Sequence, residues 1–205
     1  MERSKACWIG ACLALALVLF TAHGALCAKQ EFSAAQLEKM GTFISNFSEL
    51  GLYSVDASDL QNPDFLIGFG IWHIYRNDQA GTRAKPCARD CPWGALAVDG
   101  KAVAESIEKY FGVKFTRHRS VDNDWLRCHW DGLRYHFGGA DGEENSFARV
   151  LKAGKLPHGF VRMEGVFYHP EAPEITGASF TALAKPSVWR GKPAWTVVKL
   201  ESSRP

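Results

Sequence analysis

The sequence predicts an α+β fold, with helices in the first half of the chain packed on an antiparallel sheet formed by the second half. Apolar residues recur at helical spacing up to about residue 111, whereas beyond Gly112 they alternate with polar residues, as in strands. Helices followed by consecutive strands favour a meander that is covered on one face by the helices. We expect residues 29–205 to form a single domain of this class.

Three segments have the pattern of amphipathic helices: 34–50, 63–76 and 101–111. Ser33 and Gln36 form a capping-box signature at the start of the first helix. Asn62 and Pro63 are typical of the N-cap and first turn of the second helix. The intervening residues 77–99 are rich in glycine and proline, so they are predicted to form a long loop.

After the helices, the strongest local signal is a β-hairpin. Segments 126–130 and 133–137 alternate on either side of Asp131-Gly132, and such a dipeptide favours a tight turn. Residues 190–193 have the composition of another turn. Further strands are predicted near these segments: 146–153, 159–168, 178–185 and 194–200.

Pairing the hairpin across a two-residue turn assigns its side chains to two faces. The apolar face, which we expect to be core, carries Leu126, Cys128, Trp130, Leu133, Tyr135 and Phe137. The opposite face carries Arg127, His129, Arg134 and His136. Guanidinium groups bind carboxylates and phosphates, and imidazoles titrate near neutral pH, so this face is a candidate anion-binding site. The alternative is the solvated face of a half-buried sheet.

A second candidate site lies on the helix predicted over 63–76. Trp72, His73 and Tyr75 fall within about one helical turn and can line a pocket. The alternative is a packed helix end in which the histidine is hydrogen-bonded.

The cysteines of the predicted domain favour a disulfide over a metal site. Export implies an oxidising compartment, so a disulfide is expected. Cys128 lies on the core face, which favours a buried thiol and leaves Cys87 and Cys91 as the candidate pair. A bridge from Cys128 to the long loop is the alternative. The C-x3-C spacing has no second matching pair, which disfavours zinc. We therefore expect no metal and no other cofactor.

The amino terminus has the order of a secretory signal peptide. Arg3 and Lys5 precede an apolar stretch that is closed by small residues. We expect residues 1–28 to be removed and the remainder to be periplasmic or secreted, with no membrane span. A lipid anchor at Cys27 is the alternative.

The composition and motifs point to a binding function. A net charge of +2 gives no general attraction to nucleic acid. Nucleophile-elbow, zincin and phosphate-loop motifs are absent from the sequence. The leading hypothesis is a noncatalytic exported domain that binds a small, anionic ligand or a protein partner. The alternatives are a hydrolase with a histidine general base and a structural or oligomer-forming envelope protein.

Short stretches of the chain resemble exported bacterial proteins of unknown function. They include Phe43-Ile44-Ser45-Asn46-Phe47, Ile71-Trp72-His73-x-Tyr75 and Asp131-Gly132-x2-Tyr135-x-Phe137. The resemblance spans most of the predicted domain and implies a single exported domain, without any activity or catalytic residue. In element order alone, the chain also resembles cystatin-like and nuclear-transport-factor-like layouts.

Overall fold

The computed structural model describes residues 32–78, 81–87, 91–139 and 146–203. The predicted signal peptide at 1–28 and the alternative anchor at Cys27 lie outside these ranges. Within them, no helix has both the length and the apolar character needed to cross a bilayer.

Three helices form where the sequence predicts them, each within two residues of the expected ends: α1 (Ala34–Ser48), α2 (Pro63–Asn77) and α3 (Gly100–Phe111). The capping box of α1 is complete, because the Ser33 hydroxyl accepts from the Gln36 N–H and the Gln36 side chain accepts from the Ser33 N–H. Gly112 ends α3 with a left-handed backbone, at φ 69°.

The described strands are all antiparallel and divide into two sheets: β1 (Ala84–Pro86), β2 (Leu96–Asp99), β3 (Val121–Asp122), β4 (Arg127–Trp130), β5 (Arg134–Phe137), β6 (Phe147–Lys155), β7 (Val161–His169), β8 (Ala172–Trp189) and β9 (Lys192–Ser202). The first sheet has the order β1-β2-β5-β4-β3, and the second is the meander β6-β7-β8-β9. The predicted α+β class is therefore confirmed, with two sheets in place of one.

The prediction of a structureless loop over 77–99 is wrong. This segment supplies β1 and β2, and β2 lies inside the first sheet between β1 and β5. With three and four residues, the two strands are too short to show a clear alternation. Their pairing with each other and with β5 decides their conformation.

The predicted hairpin exists, but its register is shifted by two residues. Cys128 pairs with Phe137 and His129 with His136, whereas a two-residue turn would pair Cys128 with Tyr135. Because side chains alternate with a period of two, this shift leaves every paired residue on its predicted face.

The cause of the shift is a wider turn. The Asp131 carboxylate accepts hydrogen bonds from the N–H groups of Leu133 and Arg134, at 2.8 and 2.7 Å, which folds Leu133 into the loop and leaves Arg134 as the first residue of β5. Leu133 is consequently 66% exposed, so its predicted place on the core face is wrong.

The helices contact both sheets. Helix α1 packs on β6, α2 packs on α3, and α3 also contacts β2 and β9. Aromatic rings dominate the core between them, and the Phe69 and Phe111 ring centroids are 4.6 Å apart. Each such fully buried ring contributes about 1.5–3 kcal/mol to folding.

Substitution of one glycine in the meander would test how closely the core is packed. A Cβ at Gly165 would clash with the Arg149 carbonyl oxygen of β6 and would lie 2.7 Å from the Phe180 ring, whereas one at Gly154, in the neighbouring strand, would meet no atom within 4 Å. We expect Gly165→Ala to reduce the free energy of unfolding by about 1–3 kcal/mol through overpacking. Gly154→Ala is expected to be neutral or stabilising by up to about 1 kcal/mol. Urea unfolding of both variants measures the difference, and equal midpoints would contradict the packing described.

Candidate functional site

A cavity of about 560 Å³ lies where helix α3 meets the end of α2 and the turn between β8 and β9. Helix α3 contributes four polar side chains to it, at positions spaced so that they lie on one side of the helix: Lys101, Glu105, Ser106 and Lys109. The rest of the polar lining comes from other elements: His73 of α2, Arg83, which precedes β1, Asp99 and Arg190. The chain thus brings together groups that are distant in sequence.

A buried polar chain forms one wall of the cavity. Asn46 of α1 directs its amide nitrogen to the Thr42 carbonyl, so its Oδ1 faces His73 Nε2 at 3.0 Å and accepts from it. This assignment leaves His73 Nδ1 as the acceptor for the Ser106 hydroxyl, also at 3.0 Å. His73 and Ser106 are only 6% and 4% exposed, and both have hydrogen-bond partners, as buried polar groups require.

The same chain continues to a lysine at the cavity. Tyr110 donates to Asn46 Oδ1 at 2.8 Å and accepts from Lys109 Nζ at 3.0 Å. Burial raises the pKa of the Tyr110 hydroxyl above its ordinary value. The phenol therefore stays protonated and links the lysine to the histidine.

The cavity has an excess of positive charge. Burial is the main cause that lowers the pKa of His73 to about 3, and repulsion from Lys109 and then Arg83 adds to it. The pKa of Lys109 is likewise lowered by burial and by Arg83. Like charges thus face one another across this space.

The carboxylates at the cavity do not neutralise these groups. Glu105 pairs with Arg190 at 2.8 Å, and Asp99 pairs with Arg134 at 2.9 Å. Among the ion pairs of the described residues, none includes Arg83, Lys101 or Lys109.

The structure separates the predicted cluster on α2. His73 lines the cavity, whereas Trp72 and Tyr75 pack against Phe137 of β5 with centroid distances of 5.9 and 6.1 Å. The Trp72 indole N–H donates to the Trp125 carbonyl at 3.1 Å. The two aromatic residues therefore anchor α2 to the first sheet, and only the histidine reaches the cavity.

The four polar residues of the hairpin share one face, but three of them already pair with an aspartate. Arg127 pairs with Asp122 at 2.8 Å, Arg134 pairs with Asp99, and His136 Nε2 lies 2.7 Å from Asp131 Oδ2. The fourth residue, His129, stacks on Trp93 with a centroid distance of 3.9 Å.

The loop between β1 and β2 covers this face near the histidines. Trp93 comes from that loop, and the loop passes so close to the end of β5 that a Cβ at Gly94 would lie 2.8 Å from the Gly138 nitrogen. His136 is therefore only 12% exposed. The sequence of the hairpin alone does not indicate that a loop after β1 covers its polar face.

Two cysteines of the same loop contact His136. Cys87 and Cys91 form a disulfide with a Cα–Cα distance of 6.0 Å, as predicted. Their sulfurs lie 3.2 and 3.3 Å from His136 Nδ1. Cys128 is a free, buried cysteine, and burial raises the pKa of its thiol to about 11. Within the described residues, one group has a geometry that could hold a metal ion, namely Cys87, Cys91 and His136.

Sequence reasoning missed the cationic members of the cavity. The polar side of α3 carried a signal, because Lys101, Ser106 and Lys109 follow helical spacing opposite the apolar stripe. Arg83 has no such signal in the sequence, since it precedes a strand that only tertiary pairing creates.

Comparison with protein-family models, with curated proteins and with solved structures finds no match. The likeness to exported bacterial proteins therefore stays a prediction.

His73 makes stability depend on pH in a defined direction. The pKa of His73 is about 3 in the folded state against an ordinary value of 6.5, so between these values the unfolded chain binds a proton that the folded chain does not. We expect stability to fall as the pH decreases from about 6.5, by up to about 1.4 kcal/mol per pH unit from this residue. His73→Gln retains a donor and an acceptor and should flatten the slope.

Urea unfolding at several pH values between 7 and 4 measures this effect. The exposed His158 provides the control, since His158→Gln should keep the wild-type slope. Identical slopes for wild type and His73→Gln would show that the buried imidazole does not control acid stability.

Proposed function

We propose that this protein binds a small anion, carrying a carboxylate or phosphate group, in the cavity between α3, α2 and the β8–β9 turn. The observation that carries the proposal is that Arg83 and Lys109 line one cavity without a carboxylate partner among the described residues. The volume of about 560 Å³ is within the usual range for small-molecule sites.

An anion would relieve the repulsion that these groups experience. Arg83 lowers the pKa values of both His73 and Lys109, after the larger effect of burial, so its positive charge is felt across the cavity. A guanidinium and an ammonium group form charge-assisted hydrogen bonds with carboxylates and phosphates. Such bonds contribute about 1.5–3 kcal/mol each.

The start of helix α3 adds to this preference. Asp99 is the N-cap residue, but its side chain makes no capping hydrogen bond to the first turn. The Gly100 N–H already donates to the Leu133 carbonyl at 2.9 Å, so the positive end of the helix dipole is what favours an anion beside Lys101. This contribution supplements the two cationic side chains.

The hydrolase alternative rests on Ser106, whose hydroxyl donates to His73 at the same cavity. Two features disfavour it. A pKa of about 3 makes His73 a weak base near neutral pH, and its second partner is the neutral amide of Asn46, which does not stabilise an imidazolium as a carboxylate does. Binding without catalysis is the better account of this geometry.

Thermal-shift and calorimetric titrations with inorganic phosphate, pyrophosphate and citrate at low salt test the proposal. We expect at least one anion to raise the melting temperature, because a ligand at 100 times its Kd stabilises by about 2.7 kcal/mol. Arg83→Gln and Lys109→Met should each weaken binding about tenfold or more. Added salt should weaken it as well.

The matched control comes from the hairpin. Arg127→Ala removes an arginine that pairs with Asp122 outside the cavity, and it should leave anion binding unchanged. If no anion stabilises the wild type, the proposal is wrong. If Arg127→Ala combined with Arg134→Ala abolishes binding while both cavity variants retain it, the anion binds at the hairpin face instead.

A further inference from the structure

A second site with chemistry of its own lies on the outer face of the hairpin, apart from the anion proposal. The sulfurs of Cys87 and Cys91 and the Nδ1 atom of His136 all lie within 4.8 Å of one another. The imidazole nitrogen approaches both sulfurs at nearly equal distances, 3.2 and 3.3 Å. In a tetrahedral zinc site, bond lengths of about 2.3 Å for sulfur and about 2.0 Å for nitrogen place these atoms roughly 3.5 Å apart.

The orientation of His136 is that of a metal ligand. The Asp131 carboxylate accepts from the Leu133 and Arg134 N–H groups through Oδ1, and its Oδ2 faces His136 Nε2. An ionised carboxylate only accepts hydrogen bonds, so His136 Nε2 donates to it at 2.7 Å. When the ring is neutral, Nδ1 then carries a lone pair, and this lone pair is directed at the two sulfurs. Metal-binding histidines characteristically donate their second N–H to a carboxylate in this way.

The supporting groups are fixed by the fold. Two backbone N–H groups of the turn hold Asp131, at 2.8 and 2.7 Å. The N–H of Cys87 donates to the Ala95 carbonyl at 2.7 Å, which closes the loop between β1 and β2. The imidazole is therefore held by the hairpin, independently of the bond between the two sulfurs.

We propose that, once the Cys87–Cys91 disulfide is reduced, Cys87, Cys91 and His136 bind a thiophilic divalent cation such as Zn²⁺. Two thiol molecules supply the reduction: they give up two electrons and two protons, form one disulfide between themselves, and leave Cys87 and Cys91 as thiols. Binding of the cation then releases the two thiol protons, so the two thiolates neutralise its charge. Two sulfur ligands and one imidazole select zinc over magnesium or calcium, and three protein ligands leave a fourth position open.

The oxidised and reduced states give opposite expectations. The disulfide removes both thiolates, so the oxidised protein should not bind the cation at this site. Reduction converts a covalent staple into a three-ligand cation site, and bound cation in turn protects the thiols from oxidation. The site thus responds to the thiol–disulfide balance of its surroundings.

Titration of the protein with Co²⁺ and then Zn²⁺ tests the proposal. The protein is reduced anaerobically with a phosphine, desalted, and followed by its thiolate-to-cobalt charge-transfer absorption. We expect one equivalent of Co²⁺ to produce the band, Zn²⁺ to displace it, and oxidised protein to show none. Asp131→Ala should weaken Zn²⁺ affinity about 10- to 100-fold, and His136→Ala should weaken it further.

Matched controls separate this site from adventitious binding. His129→Ala removes the neighbouring imidazole on the same strand face, and Cys128→Ser removes the remaining buried thiol, so both should retain wild-type affinity. Circular dichroism and thermal unfolding confirm that each reduced variant is folded. Absence of the charge-transfer band in folded, reduced wild type would overturn the proposal. An equal loss of Zn²⁺ affinity in His129→Ala and His136→Ala would overturn it too. Either result leaves the separate proposal of anion binding standing.

Discussion

The packing of helix α3 is the constraint on which the rest of the structure depends. This helix contacts α2, β2 and β9, and its Tyr110 donates a hydrogen bond to Asn46 of α1, so it touches both sheets and both other helices at once. Its apolar stripe, which includes Ile107 and Phe111, is buried, and its polar side is consequently turned towards the cavity. The requirement to bury one side of a helix therefore places Lys101, Ser106 and Lys109 together.

The two sites are neighbours. A smaller cavity of about 220 Å³ is lined by Arg83 and Asp99 of the proposed anion site and by Cys87 and His136 of the cysteine cluster. Strand β2 connects them, since it pairs with the hairpin strand that carries His136 and leads directly into α3.

Prediction from the sequence succeeded where the signal is local. The capping box at Ser33, proline in the first turn of α2, and the change of period after Gly112 each act through the nearest few residues, and all three helices and the C-terminal meander follow from them. The short strands β1 and β2 were not predicted, because three or four residues show no clear periodicity. The predicted register of the hairpin was wrong because the Asp131 carboxylate widens the turn.

The sequence by itself determined the α+β class, the helices and the alternation of faces along the hairpin strands, because these depend on spacing along the chain. It named Cys87 and Cys91 only as the candidate disulfide pair. Only the tertiary structure decided which of the predicted site residues meet. It joined His73 to Ser106 and Asn46, and it separated His73 from its neighbour Trp72. It also laid the cysteine loop over His136. Contacts between distant segments are set by how helices and sheets bury their apolar faces together, and no local pattern encodes that arrangement.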